Sequence, residues 1–181
     1  MQVFHNVHMI PIPGRDPMLG SNVFMMGDGK ELAILDPGND FGYTVDTALH
    51  SIMSYLGSIG NPRVKYIIVT HAHPDHSLGC LKLKKSTGAK IVAHSKEAPA
   101  LARELKPKRV GLTVEDGDIL EVGGAKLKVI HSPGHTPGHI CLYMLERDIL
   151  FSGDNVVGHG TSAINPPDGD MLTYLRSLHQ L

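Results

Sequence analysis

The chain has 181 residues, 41% hydrophobic and 19% charged, which predicts one packed domain rather than a disordered segment. Seventeen Lys and Arg stand against 18 Asp and Glu for a formal net charge of −1, so composition supplies no strong field for a polyanionic partner. No apolar run approaches the roughly 18 residues of a membrane span, and the opening Met1-Gln2-Val3-Phe4-His5 has neither the basic nor the apolar region of an export signal, so the expectation is a cytoplasmic protein with Cys80 and Cys141 reduced.

Asn22 to Met26 and Leu32 to Leu35 read as strands joined across Gly27-Asp28-Gly29, where Asp-Gly favours a hairpin. Asp36-Pro37-Gly38 ends the second strand, because Pro cannot donate to a ladder. Residues 43–57 carry Val45, Leu49, Ile52, Met53 and Leu56 at helical spacing. Tyr66 to Thr70 is a short apolar strand, expected to be buried on both faces. A helix over Leu78 to Thr87, a strand at Ile91-Val92-Ala93 and a helix capped by Ser95 and running to about Leu105 follow. Beyond Pro107 come consecutive strands: Asp118 to Val122, Lys126 to Ile130, His139 to Tyr143 and Ile149 to Phe151. A final amphipathic helix begins near Asp170. Two halves, each of strands followed by helical cover, pack most economically as two sheets face to face with helices outside.

Histidine is the anomaly. Six of the 12 fall within residues 71–76 and 131–139. The first window, His71-Ala72-His73-Pro74-Asp75-His76, leaves an apolar strand with three imidazoles and a carboxylate in six residues. His71 and His73, two apart in extended backbone, point to one side and can grip a single ion, while Asp75 and His76 turn towards a second. The second window, His131-Ser132-Pro133-Gly134-His135-Thr136-Pro137-Gly138-His139, brackets His135 with two Pro-Gly turns and aims it as a third ligand beside His71 and His73. His139 and His131 read as supporting donors or satisfied core histidines. Asp154, after Gly153 at the end of an apolar strand, stands where a carboxylate can bridge two ions. Imidazole and carboxylate without thiolate suit zinc, with iron or manganese as alternatives. Cys80 and Cys141 lie outside both windows and read as buried apolar thiols.

These motifs, with Leu35-Asp36-Pro37-Gly38 before them and Phe151-Ser152-Gly153-Asp154 after, resemble the metallo-β-lactamase-fold hydrolase superfamily from about Val23 onward. The resemblance implies an α+β fold, a four-layer αββα sandwich over residues 1–181 as a single domain, with metal along one edge. It puts His71, His73 and His135 on one ion and Asp75 and His76 on a second, with Asp154 between them. Asp36 would hold a ligand histidine in orientation, and His139 would support the site. The superfamily's further ligand histidine follows another strand. Gly158-His159-Gly160 comes too soon after Asp154 to be that turn, and His179 falls on the surface of the last helix, so the expectation is either a domain lacking its last strand and helix or an incomplete, weak second site.

The implied reaction is hydrolysis by a metal-bound hydroxide, with Asp75 and Asp154 catalytic and a small ester, thioester or lactone as substrate. The stretch from Gly153 to Leu178 is similar to a lactamase-β-like branch containing an endoribonuclease, whereas His-x-His-x-Asp-His and Gly-His-Thr are shared with glyoxalase II-like thioesterases. A phosphodiesterase and a non-catalytic metal-binding remnant are therefore the alternative readings. Lys82, Lys84, Lys85, Lys106, Lys108 and Arg109 read as a solvated face rather than a nucleic-acid patch.

Overall fold

A computed structural model describes residues 1–12, 21–38, 45–105, 110–158 and 160–181. The amino-terminal half lays down β1 (Gln2–Phe4), β2 (Val7–Ile12), β3 (Ser21–Gly27) and β4 (Glu31–Leu35) as an antiparallel meander. Helix α1 (Val45–Ser58) then crosses over to β5 (Arg63–Ile68), which pairs parallel with β4. Two helices, α2 (Pro74–Ser77) and α3 (Cys80–Thr87), lead to β6 (Lys90–His94), and α4 (Ala98–Leu105) leads to β7 (Leu112–Val114), both parallel additions. Parallel neighbours need such crossovers, and helices supply them. The seven strands lie in chain order.

The second sheet is antiparallel and contains β8 (Ile119–Val122), β9 (Ala125–His131), β10 (Ile140–Met144) and β11 (Ile149–Phe151) in the order β11-β10-β9-β8. Helix α5 (Met171–Gln180) follows it, with the Asp170 side chain accepting from the Thr173 amide as its cap. The order of layers is that of the expected α+β sandwich.

Alternation along the strands divides the core in two. Ile34 and Ile67 turn outward to Ile52 and Leu56 of α1, Leu83 of α3 and Leu101 of α4. Leu35, Ile68 and Val92 turn inward to Leu127, Val129, Ile140 and Leu142 of the second sheet. Strand β5 is thus buried on both faces, as its apolar run predicts. It begins earlier than Tyr66, because the charged start hid it: Lys65 lays its stem along the protein and donates from Nζ to the Glu121 carbonyl at 2.9 Å.

Other expectations shift or fall short. Strands β1 and β2 carry no clean alternation in the sequence, since His8 and Pro11 interrupt Val7, Ile10 and Ile12, all buried. Strand β7 is too short to show a period. Ser95 does not cap α4; it lies in a turn, its amide bonded to the Val114 carbonyl, and the helix starts at Ala98 directly after Glu97. Residues 43–44 at the expected start of α1, Lys106, Lys108 and Arg109 of the basic group, and His159 lie outside the described residues. Within that basic group, Lys82 is ion-paired with Asp46.

The carboxyl ends of the parallel strands β4, β5 and β6 open on one edge, delivering Asp36, Thr70-His71 and Glu97 there in succession. The β9–β10 loop and the turn after β11 bring His135 and Asp154 to the same edge.

Candidate metal centre

Three imidazole nitrogens converge between the sheets. His71 Nε2 lies 2.9 Å from His73 Nδ1 and 3.2 Å from His135 Nε2, and His135 Nε2 lies 3.0 Å from His73 Nδ1. Nitrogens bound tetrahedrally at about 2.0–2.1 Å from one ion would be roughly 3.3 Å apart, close to this triangle. Two of the three rings carry their protons on the outside. Thr70 Oγ1 donates to Asp36 Oδ2 at 2.8 Å, so it accepts from His71 Nδ1–H at 3.0 Å. His135 Nδ1–H donates to the Ala163 carbonyl at 2.8 Å. Nε2 of both rings is therefore a bare lone pair, and their 3.2 Å approach is not a hydrogen bond. Two lone pairs this close repel unless a positive group lies between them, either a metal cation or a proton donated from His73 Nδ1. The donor set fits a divalent metal.

A second group adjoins it. Helix α2, with Pro74 at its first turn, swings the chain back so that His76 is buried. His76 donates from Nδ1 to Asp36 Oδ2 at 2.9 Å and turns Nε2 to Asp154 Oδ1 at 3.1 Å and Asp75 Oδ2 at 3.5 Å. The other oxygen of Asp154 lies 3.5 Å from His135 Nε2, so this carboxylate stands between the two groups. His71 is grouped with His76 and Asp154 as well as with His73 and His135, and its Nδ1 is engaged with Thr70, which leaves Nε2. A single lone pair serves a single ion, and its 2.9 and 3.2 Å neighbours assign it to the three-histidine group.

Two glycines permit this packing. A Cβ on Gly38 would lie 1.6 Å from the Asp75 carbonyl oxygen, so the turn after β4 presses directly on α2. Gly153 has φ +51°, and a Cβ there would lie 2.7 Å from His139 Nε2. That approach lets the Asp154 amide donate to His139 Nε2 at 3.2 Å, while His139 Nδ1 pairs with Ser132 Oγ at 3.0 Å. His139 thus supports Asp154 through its backbone and has both nitrogens engaged. Asp36 itself is left-handed, at φ +50°, a conformation aspartate tolerates better than most residues.

Electrostatics follow burial. Desolvation, with its histidine neighbours adding, drives His71 well below the ordinary imidazole range. His135 is lowered by burial as well, and burial followed by His135 takes His139 down to about 3. Burial opposes charge on His76, but Asp36 and Asp154 outweigh it and raise this ring well above the usual value. Burial likewise opposes charge on Asp154, yet its hydrogen bond to His76 and the histidines around it bring it to about 2.

His131 and His179 belong to neither group. His131 is half-buried, stacked on His94 at 4.2 Å and bonded through Nε2 to the Pro137 carbonyl, so it braces the loop. His179 is exposed on α5. Cys80 and Cys141 are buried, free thiols. Burial raises the first and pushes the second up to about 11. Sequence reasoning missed Thr70, Ala163 and Glu97. Ala163 contributes only a carbonyl, which leaves no trace in residue type. Thr70 adjoins the first histidine window, and that adjacency was its only signal.

Known proteins share this arrangement of elements. The family model described as the metallo-beta-lactamase superfamily matches residues 16–181. An atrochrysone carboxyl ACP thioesterase of a Cryptosporiopsis species is 30% identical over 172 residues, covering 93% of this chain and 47% of that protein. The lactamase-like protein ptaB of Pestalotiopsis fici is 31% identical over 155 residues, covering 84% and 44%. The chain spans about half the length of these relatives. Among solved structures, a metallo-beta-lactamase family protein of Thermus thermophilus superposes with TM-score 0.79 at 25% identity, covering 99% of this chain and 70% of that one. Family model, relatives and superposed fold agree, and the chain belongs to the metallo-beta-lactamase superfamily.

Proposed function

We propose that this chain is a metal-dependent hydrolase that cleaves a small thioester, with zinc held by His71, His73 and His135. The observation that carries the reading is the triangle of imidazole nitrogens whose outer protons are committed to Thr70 and Ala163. Two relatives that align along almost the whole chain bear the name atrochrysone carboxyl ACP thioesterase, and this favours a thioester over the ester and lactone alternatives.

Asp75, His76 and Asp154 would form a second, weaker cation site beside the first. Zinc supplies a lowered water pKa, to about 7, and polarisation of the scissile carbonyl. The protein's share is positional. Asp154, ionised and fixed at its amide by His139, accepts the proton of the attacking water at its carboxylate. Asp36 keeps His71 and His76 facing inward through Thr70 and through its own oxygen. The bond that breaks is C–S, leaving a thiolate and a carboxylic acid. A thiolate of ordinary pKa near 8.5 leaves without a dedicated acid. The described chain is read as one domain, since both sheets share the inner core. Among the described residues no helix is long and apolar enough to cross a membrane.

The test is thioester hydrolysis on purified protein before and after chelation, with RNA in parallel. Loss on chelation and recovery with zinc support the reading. RNA cleavage without thioester turnover supports the phosphodiesterase instead, and tight metal binding with no turnover supports the non-catalytic alternative.

A further inference from the structure

Glu97 lies after β6 and immediately before α4, inside the helix that the sequence places from Ser95 to about Leu105. It is 2% exposed. Its main chain is pinned: the amide donates to the His94 carbonyl at 2.9 Å, and its own carbonyl accepts from Leu101 at 3.0 Å. The carboxylate then reaches into the metal centre without meeting any of the ligand nitrogens. Oε2 accepts from the Ala72 amide at 2.8 Å, between His71 and His73. Oε1 accepts from Thr136 Oγ1 at 2.7 Å and from the Gly138 amide at 2.7 Å, on the loop that carries His135. Gly138 has no room for a side chain because a Cβ there would lie 2.8 Å from Glu97 Cγ.

We infer that Glu97 is a positioning residue that sets the spacing of the three-histidine triangle, by tying the His71–His73 loop of one sheet to the His135 loop of the other with one buried carboxylate. The two loops are more than sixty residues apart in the chain and belong to different sheets, so packing within either sheet does not fix their separation. A carboxylate is the side chain suited to this role. It offers only acceptors, and all the groups facing it are donors. An amide in its place would turn a donor towards the Ala72 N–H or towards the Thr136 and Gly138 donors. This inference rests on the proposed zinc site and adds to it a residue that touches neither metal nor substrate.

The test compares wild type, Glu97→Gln and Glu97→Ala by zinc competition against a chromophoric chelator and by the visible absorption of the cobalt-substituted protein. Melting curves of the chelator-treated proteins establish that each variant is folded. The expected result is zinc binding weakened about 10–100-fold in the folded variants, with an altered cobalt spectrum reporting a changed ligand triangle. Should Glu97→Ala not fold, Glu97→Gln carries the test, since it keeps the volume and one acceptor oxygen. Folded variants with wild-type zinc affinity and cobalt spectrum, even if they melt earlier, would reduce Glu97 to a fold-stabilising residue and overturn the inference. Absence of zinc binding by wild type would instead defeat the proposed function, so the two failures are distinct.

Discussion

His76 donates from Nδ1 to Oδ2 of Asp36 at 2.9 Å, joining α2 to the turn after β4. The same oxygen accepts from Thr70 Oγ1, which in turn holds His71. One buried carboxylate therefore orients a histidine in each group, and the Thr70 amide on its other oxygen at 2.7 Å fixes the carboxylate itself. Asp36→Ala is expected to weaken zinc binding about 10–100-fold and to cost about 1–3 kcal/mol by stranding buried donors. Chelator competition and chemical denaturation measure both, and unchanged zinc affinity would refute the orienting role.

Removing a proposed ligand must differ from removing a bystander. His71→Ala is expected to abolish tight zinc binding and thioester turnover, whereas His179→Ala, on the exposed surface of α5, leaves both as in wild type. Metal analysis after dialysis gives the answer. Equal zinc content in the His71 variant and wild type would remove the basis of the assignment.

Acid should destabilise the chelator-treated protein through His139. This ring sits near 3 when folded, against about 6.5 when unfolded. Between those values the unfolded chain binds a proton that the folded chain refuses, so stability rises with pH across the window and is lost on acidification, by at most about 1.4 kcal/mol per pH unit. His76, raised in the fold, works with the opposite sign: its contribution is full below the unfolded value and is lost as pH rises through the folded one. Comparison with His139→Gln isolates the first effect. The variant's unfolding free energy is expected to vary less steeply between pH 6.5 and about 3, and a slope equal to wild type would show that the acid sensitivity arises elsewhere than at His139.

Gly153→Ala is a backbone test of Asp154. At φ +51° and with His139 Nε2 only 2.7 Å from the added carbon, the turn must move, and Asp154 moves with it. A cost of about 1–3 kcal/mol and an activity loss of at least about 10-fold are expected, the second because small displacements at a reacting centre are amplified. Turnover within a factor of two of wild type would mean that Asp154 needs no such placement.

Much of the candidate metal centre is legible in the sequence because its candidate ligands are bunched. His71, His73, Asp75 and His76 occupy six residues, and Pro-Gly pairs flag the second loop around His135. Short-range geometry decides which way such neighbours point. The same holds for β3 and β4, flagged by the Asp-Gly turn between them, for α1, whose helical spacing is intact, and for the doubly buried β5. Legibility fails where the pattern is interrupted, as in β2, or too brief, as in β7.

The sequence by itself determined the two histidine windows and their imidazole-carboxylate character, because residue type and local spacing dictate what a segment can offer, and the family resemblance of those motifs implied the fold class. Tertiary structure alone decided how those offers combine: that Asp154 stands between the two groups, that Ala163 and Thr70 accept the outer ring protons, and that Glu97 joins both loops. Hydrogen bonds and lone pairs act over about 3 Å. Which groups come that close is settled by the packing of two sheets, and no stretch of sequence carries that information alone.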